Sequence, residues 1–277
     1  MMSNKVILVI VDGLKYQTSL AHCGFLEGQV EAGKARRWRM RASLPSMSAP
    51  CYQSILSGLS PADHGVTVNQ PLAPSTVANI FSEAQAAHKV TGAVAYSWFS
   101  VLFNGHPYEP ARHHETDDKS KPIQHGRFYD NIGMSDFHLG IPSDTDLCGQ
   151  VDGLILRKAP DFMLLHTLSC DSVGHVYGGS SWQYARSATI VDTALAGAVP
   201  GWRKEGYRVL VTADHGFTDC GYHGGTSDDV RDVAFYDIGH PDGGIASDEV
   251  SQCAIAPTIL AMLGLVATPS MTEPTLV

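Results

Sequence analysis

Asp12, Asp171, His175, Asp214, His215 and His223 pair carboxylate with imidazole chemistry, and nearly all of them stand just past short apolar runs. Asp12 closes KVILVIVD. Asp171 follows FMLLHTL, with His175 four residues on in DSVGH. Asp214 and His215 end YRVLVTADHG, and His223 lies in the glycine-bearing GYHGG. A single Asp or His in such a place is most often a loop hydrogen-bonder or a cap. Six together match the needs of a binuclear metal site. Oxygen and nitrogen donors of this kind suit borderline divalent ions, zinc first, with manganese or iron accepted by the same set. Two such ions at close range clamp the attacking and leaving oxygens of an in-line displacement. Without cations, several buried Asp–His clusters would carry a heavy penalty for unpaired charge.

A nucleophile candidate lies in LPSMSAPCYQSILSG. Ser48 precedes Pro50, and CYQSILSG carries a helical pattern, so the Ser48 hydroxyl is expected beside the free N–H groups of a helix start, which favour an anion. Coordination to a metal would lower the hydroxyl pKa without a histidine base. Read alone, Ser48 is an N-cap. Asn69, in the loop that follows, is a candidate donor to a charged phosphoryl oxygen; read alone, it is a turn residue.

Those residues need strands to deliver them. Lys5 to Val11 (KVILVIV) is apolar on both faces, as a strand covered by helices on both sides should be. Val90 to Tyr96, Phe162 to Leu168, Tyr207 to Thr212 and Val233 to Ile238 share that character. Helical patterns fall between them at Ser75 to Ala87 (Ser75 as N-cap), Ser181 to Val199 and Ala254 to Leu263. The alternation implies an α/β domain with a mainly parallel sheet, whose ligands gather at the carboxyl ends of the strands. The segment at about 98–147 breaks the rhythm. It is rich in His, Pro, Asp and Gly and shows no clear period, so it is expected to be an insertion covering the strand ends and setting selectivity. Its His113, His114, His125 and His138 have no assigned role.

The 277 residues suffice for one large core, and neither a linker nor a repeat divides them, so a single domain over 1–277 is expected. The net charge of −9 argues against a nucleic-acid polymer as partner. The densest basic run, Lys34 to Arg41 (KARRWRMR), is expected to be a solvated surface segment. The opening apolar run is too short for a signal-peptide core or a bilayer span, and the six cysteines show no C-x-x-C pair. A soluble cytoplasmic chain with reduced thiols is the expectation, and its oligomeric state stays open.

The elements VILVIVDGL, PSMSAPCYQSILSGLSPADHGVTVN, PDFMLLHTLSCDSVGHVYGGSS and VLVTADHGFTDCGYHGG together resemble the alkaline phosphatase superfamily. The closest resemblance is to its nucleotide pyrophosphatase/phosphodiesterase and phosphonoacetate hydrolase branches. The resemblance implies an alkaline-phosphatase-like three-layer sandwich with a small inserted cap segment. It implies one metal held by Asp171, His175 and His223, and a second held by Asp12, Asp214 and His215 with Ser48 on or near it. Asn69 occupies the place of the asparagine that binds a non-bridging phosphoryl oxygen, which points to the phosphodiesterase and phosphonate branches. No residue is assigned to an organic cofactor. Many phosphodiesterases have threonine at the Ser48 position and a P-N-H run where this chain has Pro50, Cys51 and Tyr52. A sulfatase reading fails because Cys51 is followed by Tyr52 and Gln53 rather than by the C-x-P-x-R setting.

The function implied is two-metal hydrolysis of a small phosphate ester through a phosphoseryl intermediate, of phosphodiesterase or nucleotide pyrophosphatase type. One alternative is carbon–phosphorus hydrolysis of a phosphonate on the same site, with Arg112, Lys119, Lys121 or Arg127 pairing a substrate carboxylate. Phosphomonoester hydrolysis is another. An inactive metal-stabilised binding protein would lack a ligand or the nucleophile, and none is missing. No G-x-S-x-G elbow supports a Ser-His-Asp hydrolase.

Overall fold

The computed structural model describes residues 4–105, 107–131 and 139–277. The first apolar run forms β1 (Lys5–Val11), in which Val6 to Val11 are at most 1% exposed. It lies mid-sheet between β6 (Phe162–Thr167) and β7 (Tyr207–Thr212), parallel to both. Beyond β6 come β3 (Thr91–Tyr96) and β5 (His125–Tyr129), also parallel, and then an antiparallel edge, β4 (Glu115–Asp117). Beyond β7 come β8 (Asp232–Ile238) and β2 (Ala35–Arg41), each antiparallel to the strand before it, and then β9 (Gly244–Ser251), parallel to β2. Among the described residues the sheet order is therefore β4-β5-β3-β6-β1-β7-β8-β2-β9, and most pairs are parallel.

Strands apolar on both faces require cover on both. One helical layer holds α1 (Tyr16–His22), α2 (Gly24–Glu31), α8 (Asp144–Lys158), α9 (Ser169–Tyr177) and α10 (Trp182–Lys204). The other holds α3 (Ser48–Ser57), α4 (Pro61–His64), α5 (Ile80–Ala86), α6 (Ser97–Asn104) and α12 (Ile255–Met262). Short α7 (Pro110–His113) packs beside β4, and α11 (Asp228–Arg231) leads into β8. The result is the expected three-layer α/β sandwich. Because β6, β1 and β7 are parallel neighbours, the residues past their carboxyl ends meet at one place. Two antiparallel steps separate β2 from β7, so β2 points the same way and delivers α3 to that end too. Among the described residues no helix is long and apolar enough to cross a membrane, and all six cysteines are free thiols.

Several local expectations are corrected. The basic run is no solvated segment. It is β2, inside the sheet, with Ala35, Trp38 and Met40 buried. Its arginines are tolerated because each meets an acid: Arg37 pairs with Glu27, Arg39 with Asp232, and Arg41 with Asp228 and Asp232. The helix expected from Ser75 starts at Ile80, because Asn79 and Ser82 form a reciprocal capping box while Ser75 accepts a hydrogen bond from Gln53. The helix expected to end at Val199 runs through Pro200 to Lys204. Trp202 is 1% exposed and donates to Asp152 at 2.6 Å, anchoring the last turn despite the proline. The 98–147 segment, in which no period was readable, carries regular elements. It supplies α6 and α7, and β4 and β5 extend the sheet.

Candidate active site

Three aspartates and three histidines converge where β6, β1 and β7 end. Asp12 is the residue after β1, and Asp214 and His215 follow β7 by two and three residues. All three are 0% exposed. His215 Nε2 lies 3.5 Å from Asp12 Oδ1 and 3.3 Å from Asp214 Oδ2. Gly13 makes this turn possible. Its φ is +71°, and a Cβ there would stand 2.6 Å from the Phe217 ring and 2.9 Å from Asp171 Cα.

Asp171 and His175 lie one turn apart on α9, and His223 reaches them from the loop after β7. His175 Nε2 is 3.5 Å from Asp171 Oδ1 and 3.3 Å from His223 Nε2, which is 3.8 Å from Asp171 Oδ1. The two triads abut, since the ligand atoms of Asp171, His215 and His223 fall within 4.8 Å of one another. The His215 and His223 rings stack with centroids 3.8 Å apart.

The histidine tautomers follow from their partners. Nδ1 of His175, His215 and His223 faces a backbone carbonyl, of Gly221, Gly216 and Ser46 respectively, at 3.0–3.1 Å. A carbonyl only accepts, so each Nδ1 carries the hydrogen and each Nε2 turns a lone pair toward the aspartates. The carboxylates match: Asp12 Oδ1, Asp171 Oδ1 and Asp214 Oδ2 are buried without any hydrogen-bond partner. Atoms bonded to one tetrahedral ion at about 2.0–2.2 Å stand about 3.3–3.6 Å apart. The observed separations bracket that range, so the residues present fit divalent cations.

Electrostatics tell the same story. Burial pushes the Asp12 carboxyl up to about 7. Burial, reinforced by the neighbouring aspartates, holds Asp171 and Asp214 well above the usual range. Burial also pushes the imidazoles down, His223 to about 4 and His215 far below its ordinary value. Buried carboxylates crowded among neutral imidazoles call for positive charge.

Ser48 is the first residue of α3, 6% exposed, with Oγ 3.2 Å from His215 Nε2. The contact is no Ser-His-Asp triad, because His215 Nδ1 is oriented by the Gly216 carbonyl rather than by a carboxylate. The helix start offers fewer free N–H groups than expected. Pro50 has none, and the Ala49 N–H donates to Asn69 Oδ1 at 3.0 Å. That bond fixes the Asn69 amide so that Nδ2 keeps its hydrogens for another acceptor beside Ser48.

Sequence reasoning missed the groups behind the ligands. Tyr52 and His166 meet Asp12, Tyr129 stands behind His166, and Phe217 meets the His175, His215 and His223 rings edge-on at 4.9–5.8 Å. A histidine inside the apolar run FMLLHTL was the available signal, since a strand buried on both faces rarely carries an idle polar group. In the insertion, Arg112 pairs with Glu109, and Arg127 with Glu115 and Asp117. Arg127 is therefore engaged at the sheet edge, whereas the Arg112 pair is an exposed one at the start of α7. His125 Nδ1 pairs with Asp117 at 2.7 Å, His113 accepts the Glu109 N–H, and His138 lies outside the described residues.

A family model described as Type I phosphodiesterase / nucleotide pyrophosphatase matches residues 6–234. The catalytic subunit of GPI ethanolamine phosphate transferase 2 of Homo sapiens is 22% identical over 286 residues, covering 95% of this chain and 26% of that protein. A 2,3-bisphosphoglycerate-independent phosphoglycerate mutase of Methylobacillus flagellatus is 29% identical over 140 residues, covering 49% of this chain and 27% of that protein. The chain thus spans about a quarter of the length of these curated relatives. Among solved structures, human ectonucleotide pyrophosphatase / phosphodiesterase 5 aligns with a TM-score of 0.75 at 13% identity, covering 96% of each chain. A phosphonate monoester hydrolase from Silicibacter pomeroyi aligns with a TM-score of 0.61 at 14% identity, covering 98% of this chain and 75% of that one. These structural likenesses speak to the fold.

Proposed function

The chain belongs to the type I phosphodiesterase / nucleotide pyrophosphatase family, within the alkaline phosphatase superfamily, and on that premise we propose that it hydrolyses small phosphodiesters through a phosphoseryl intermediate on Ser48. The carrying observation is the set of three orphaned aspartate oxygens facing three Nε2 lone pairs beside a buried serine. Asp12, Asp214 and His215 would hold one divalent cation, and Asp171, His175 and His223 a second; zinc suits the donors, and manganese is acceptable. When bound, the cations supply charge neutralisation to an in-line displacement at phosphorus.

The chain's own groups do the rest. Ser48 Oγ forms the bond to phosphorus as the bond to the leaving oxygen breaks, and the serine proton is passed on to solvent. Its placement at the start of α3 holds Oγ against the buried triad, so little motion precedes attack. Asn69 Nδ2 donates to a non-bridging oxygen whose charge grows in the transition state. Water then cleaves the phosphoseryl bond and restores the serine hydroxyl.

The test is hydrolysis of bis-p-nitrophenyl phosphate against p-nitrophenyl phosphate by zinc-reloaded protein at equal concentration. A strong diester preference supports the reading. A monoester preference overturns the assignment of Asn69 and the phosphodiesterase type, and activity on neither sends the search to phosphonates. A second reading hands the phosphoryl group to an alcohol instead of water. It is favoured by the alignment of the ethanolamine phosphate transferase over 95% of this chain, and formation of a new diester between the group held on Ser48 and an added alcohol such as glycerol would reveal it.

A further inference from the structure

We propose that Tyr52, His166 and Tyr129 form a positioning chain that locks the Asp12 carboxylate with Oδ1 turned toward the buried cation site. Through Tyr129, the inserted segment helps to set that rotation. The inference rests on the two-cation reading of the site but not on the identity of the ester.

Asp12 Oδ2 accepts the Tyr52 hydroxyl hydrogen. His166 Nε2 stands 3.1 Å from the same oxygen and 2.9 Å from the Tyr52 hydroxyl. Tyr52 has one hydrogen, and the carboxylate is its stronger acceptor. His166 Nε2 must then carry a hydrogen of its own, or two lone pairs would face each other in a dry interior. That leaves Nδ1 as an acceptor, and the Tyr129 hydroxyl lies 2.8 Å from it and 3.1 Å from the His166 carbonyl, so its one hydrogen is shared between the two acceptors. Every hydrogen then has a place, and Oδ2 is saturated by two donors. Oδ1 has none.

This tautomer is the reverse of the one in His175, His215 and His223, whose Nδ1 hydrogens bond backbone carbonyls. The histidine nearest Asp12 Oδ2 is thereby barred from being a ligand: one nitrogen is protonated and the other engaged. The chain draws on three parts of the fold. Tyr52 lies four residues after Ser48 on α3, so the nucleophile and the Asp12 clamp share one helix face. His166 is on β6, and Tyr129 is on β5 within the insertion. Packing fixes the rotamers. Tyr52 stacks on Phe99 at 4.5 Å, and His166 meets Tyr52 edge-on at 5.1 Å and Phe99 at 5.0 Å. Tyr52, Phe99 and His166 are all 0% exposed.

Partners behind a metal ligand typically contribute about 10–100-fold to metal affinity. The experiment is a zinc titration of chelator-stripped full-length protein against a competing chelator, resolving two binding steps. In Tyr52→Phe and His166→Leu, one step should weaken about 10–100-fold while the other stays unchanged. Tyr129→Phe should show a smaller loss at the same step. His166→Gln, which returns a donor near Nε2, should recover most of the affinity. Nitrogen-15 NMR of the zinc-loaded wild type should place the His166 hydrogen on Nε2.

A hydrogen on Nδ1, two unchanged steps, or parallel weakening of both steps would overturn the proposal, the last marking a purely structural role. Wild type that binds two zinc ions yet cleaves no diester would sink the substrate reading and leave this inference standing. Wild type that binds no zinc sinks both.

Discussion

Asp12, Asp214 and His215 are 0% exposed, whereas the His175 side chain is 46% exposed and those of Asp171 and His223 are 13% and 8% exposed. The two triads use the same donor atoms at similar separations but rest on different supports. The buried triad has two carboxylates, and the side chains of Tyr52 and His166 together with the Gly13 N–H orient them. The outer triad has one carboxylate, and its two histidines are pinned by loop carbonyls of Gly221 and Ser46. Burial with an anionic donor set favours tight, slowly exchanging cation binding. The outer triad is the more open of the two to solvent. Ser48 lies against the buried triad, so the proposed nucleophile stands on the side with more carboxylate support.

The largest expected effect tests that placement. Ser48→Ala should lower kcat on a diester by on the order of 10³-fold or more while both cations stay bound, read by steady-state assay and elemental analysis. Retained activity would remove Ser48 as nucleophile. Next come the ligands. Asp214→Asn should lose the buried cation with nearly all activity, whereas His175→Ala should lose the outer cation and keep the buried one. Equal metal content in the two variants would erase the distinction between the triads.

Asn69→Ala should cost about 10²-fold in kcat, as removal of one transition-state donor does, with metal content unchanged. A change in KM alone would demote Asn69 to a helix cap for Ala49. The smallest effect is in proton release. Below about 7 the Asp12 carboxyl carries a proton in the metal-free site, and a cation must expel it. His223 is held down at about 4, so it is already neutral there and contributes no proton, and burial also holds His175 below its ordinary value. Zinc affinity should therefore fall on acidification from about pH 8 to about pH 6, with more protons released per ion at the lower pH. Calorimetry in buffers of different ionisation enthalpy measures this, and equal release at both values would contradict the carboxyl origin.

Much of the scaffold was legible because it is written locally. Lys5–Val11 and Tyr207–Thr212 have the observed bounds, since a continuous apolar run of that length has few other fates. Val233–Ile238 was legible as a strand but not as an antiparallel one, because direction depends on the path of the chain between strands. KARRWRMR misled because charge count hides what each arginine meets, and its partners Asp228 and Asp232 lie almost 200 residues away. Within the 98–147 segment the strands were not legible, because an edge strand as short as Glu115–Asp117 carries no readable period.

By itself, the sequence determined the apolar strands, the order of aspartates and histidines behind them, and a serine poised at a helix start. Those features follow from side-chain type and nearest-neighbour periodicity. Only the tertiary structure decided which oxygen of each aspartate is left free, and which histidines present a lone pair. His166 and His215 are the same residue type beside the same carboxylate, yet one faces Tyr52 and Tyr129 and the other a backbone carbonyl. Hydrogen placement is set by partners that meet across 154 residues between His166 and Asp12 and 37 between Tyr129 and His166, beyond the reach of any local pattern.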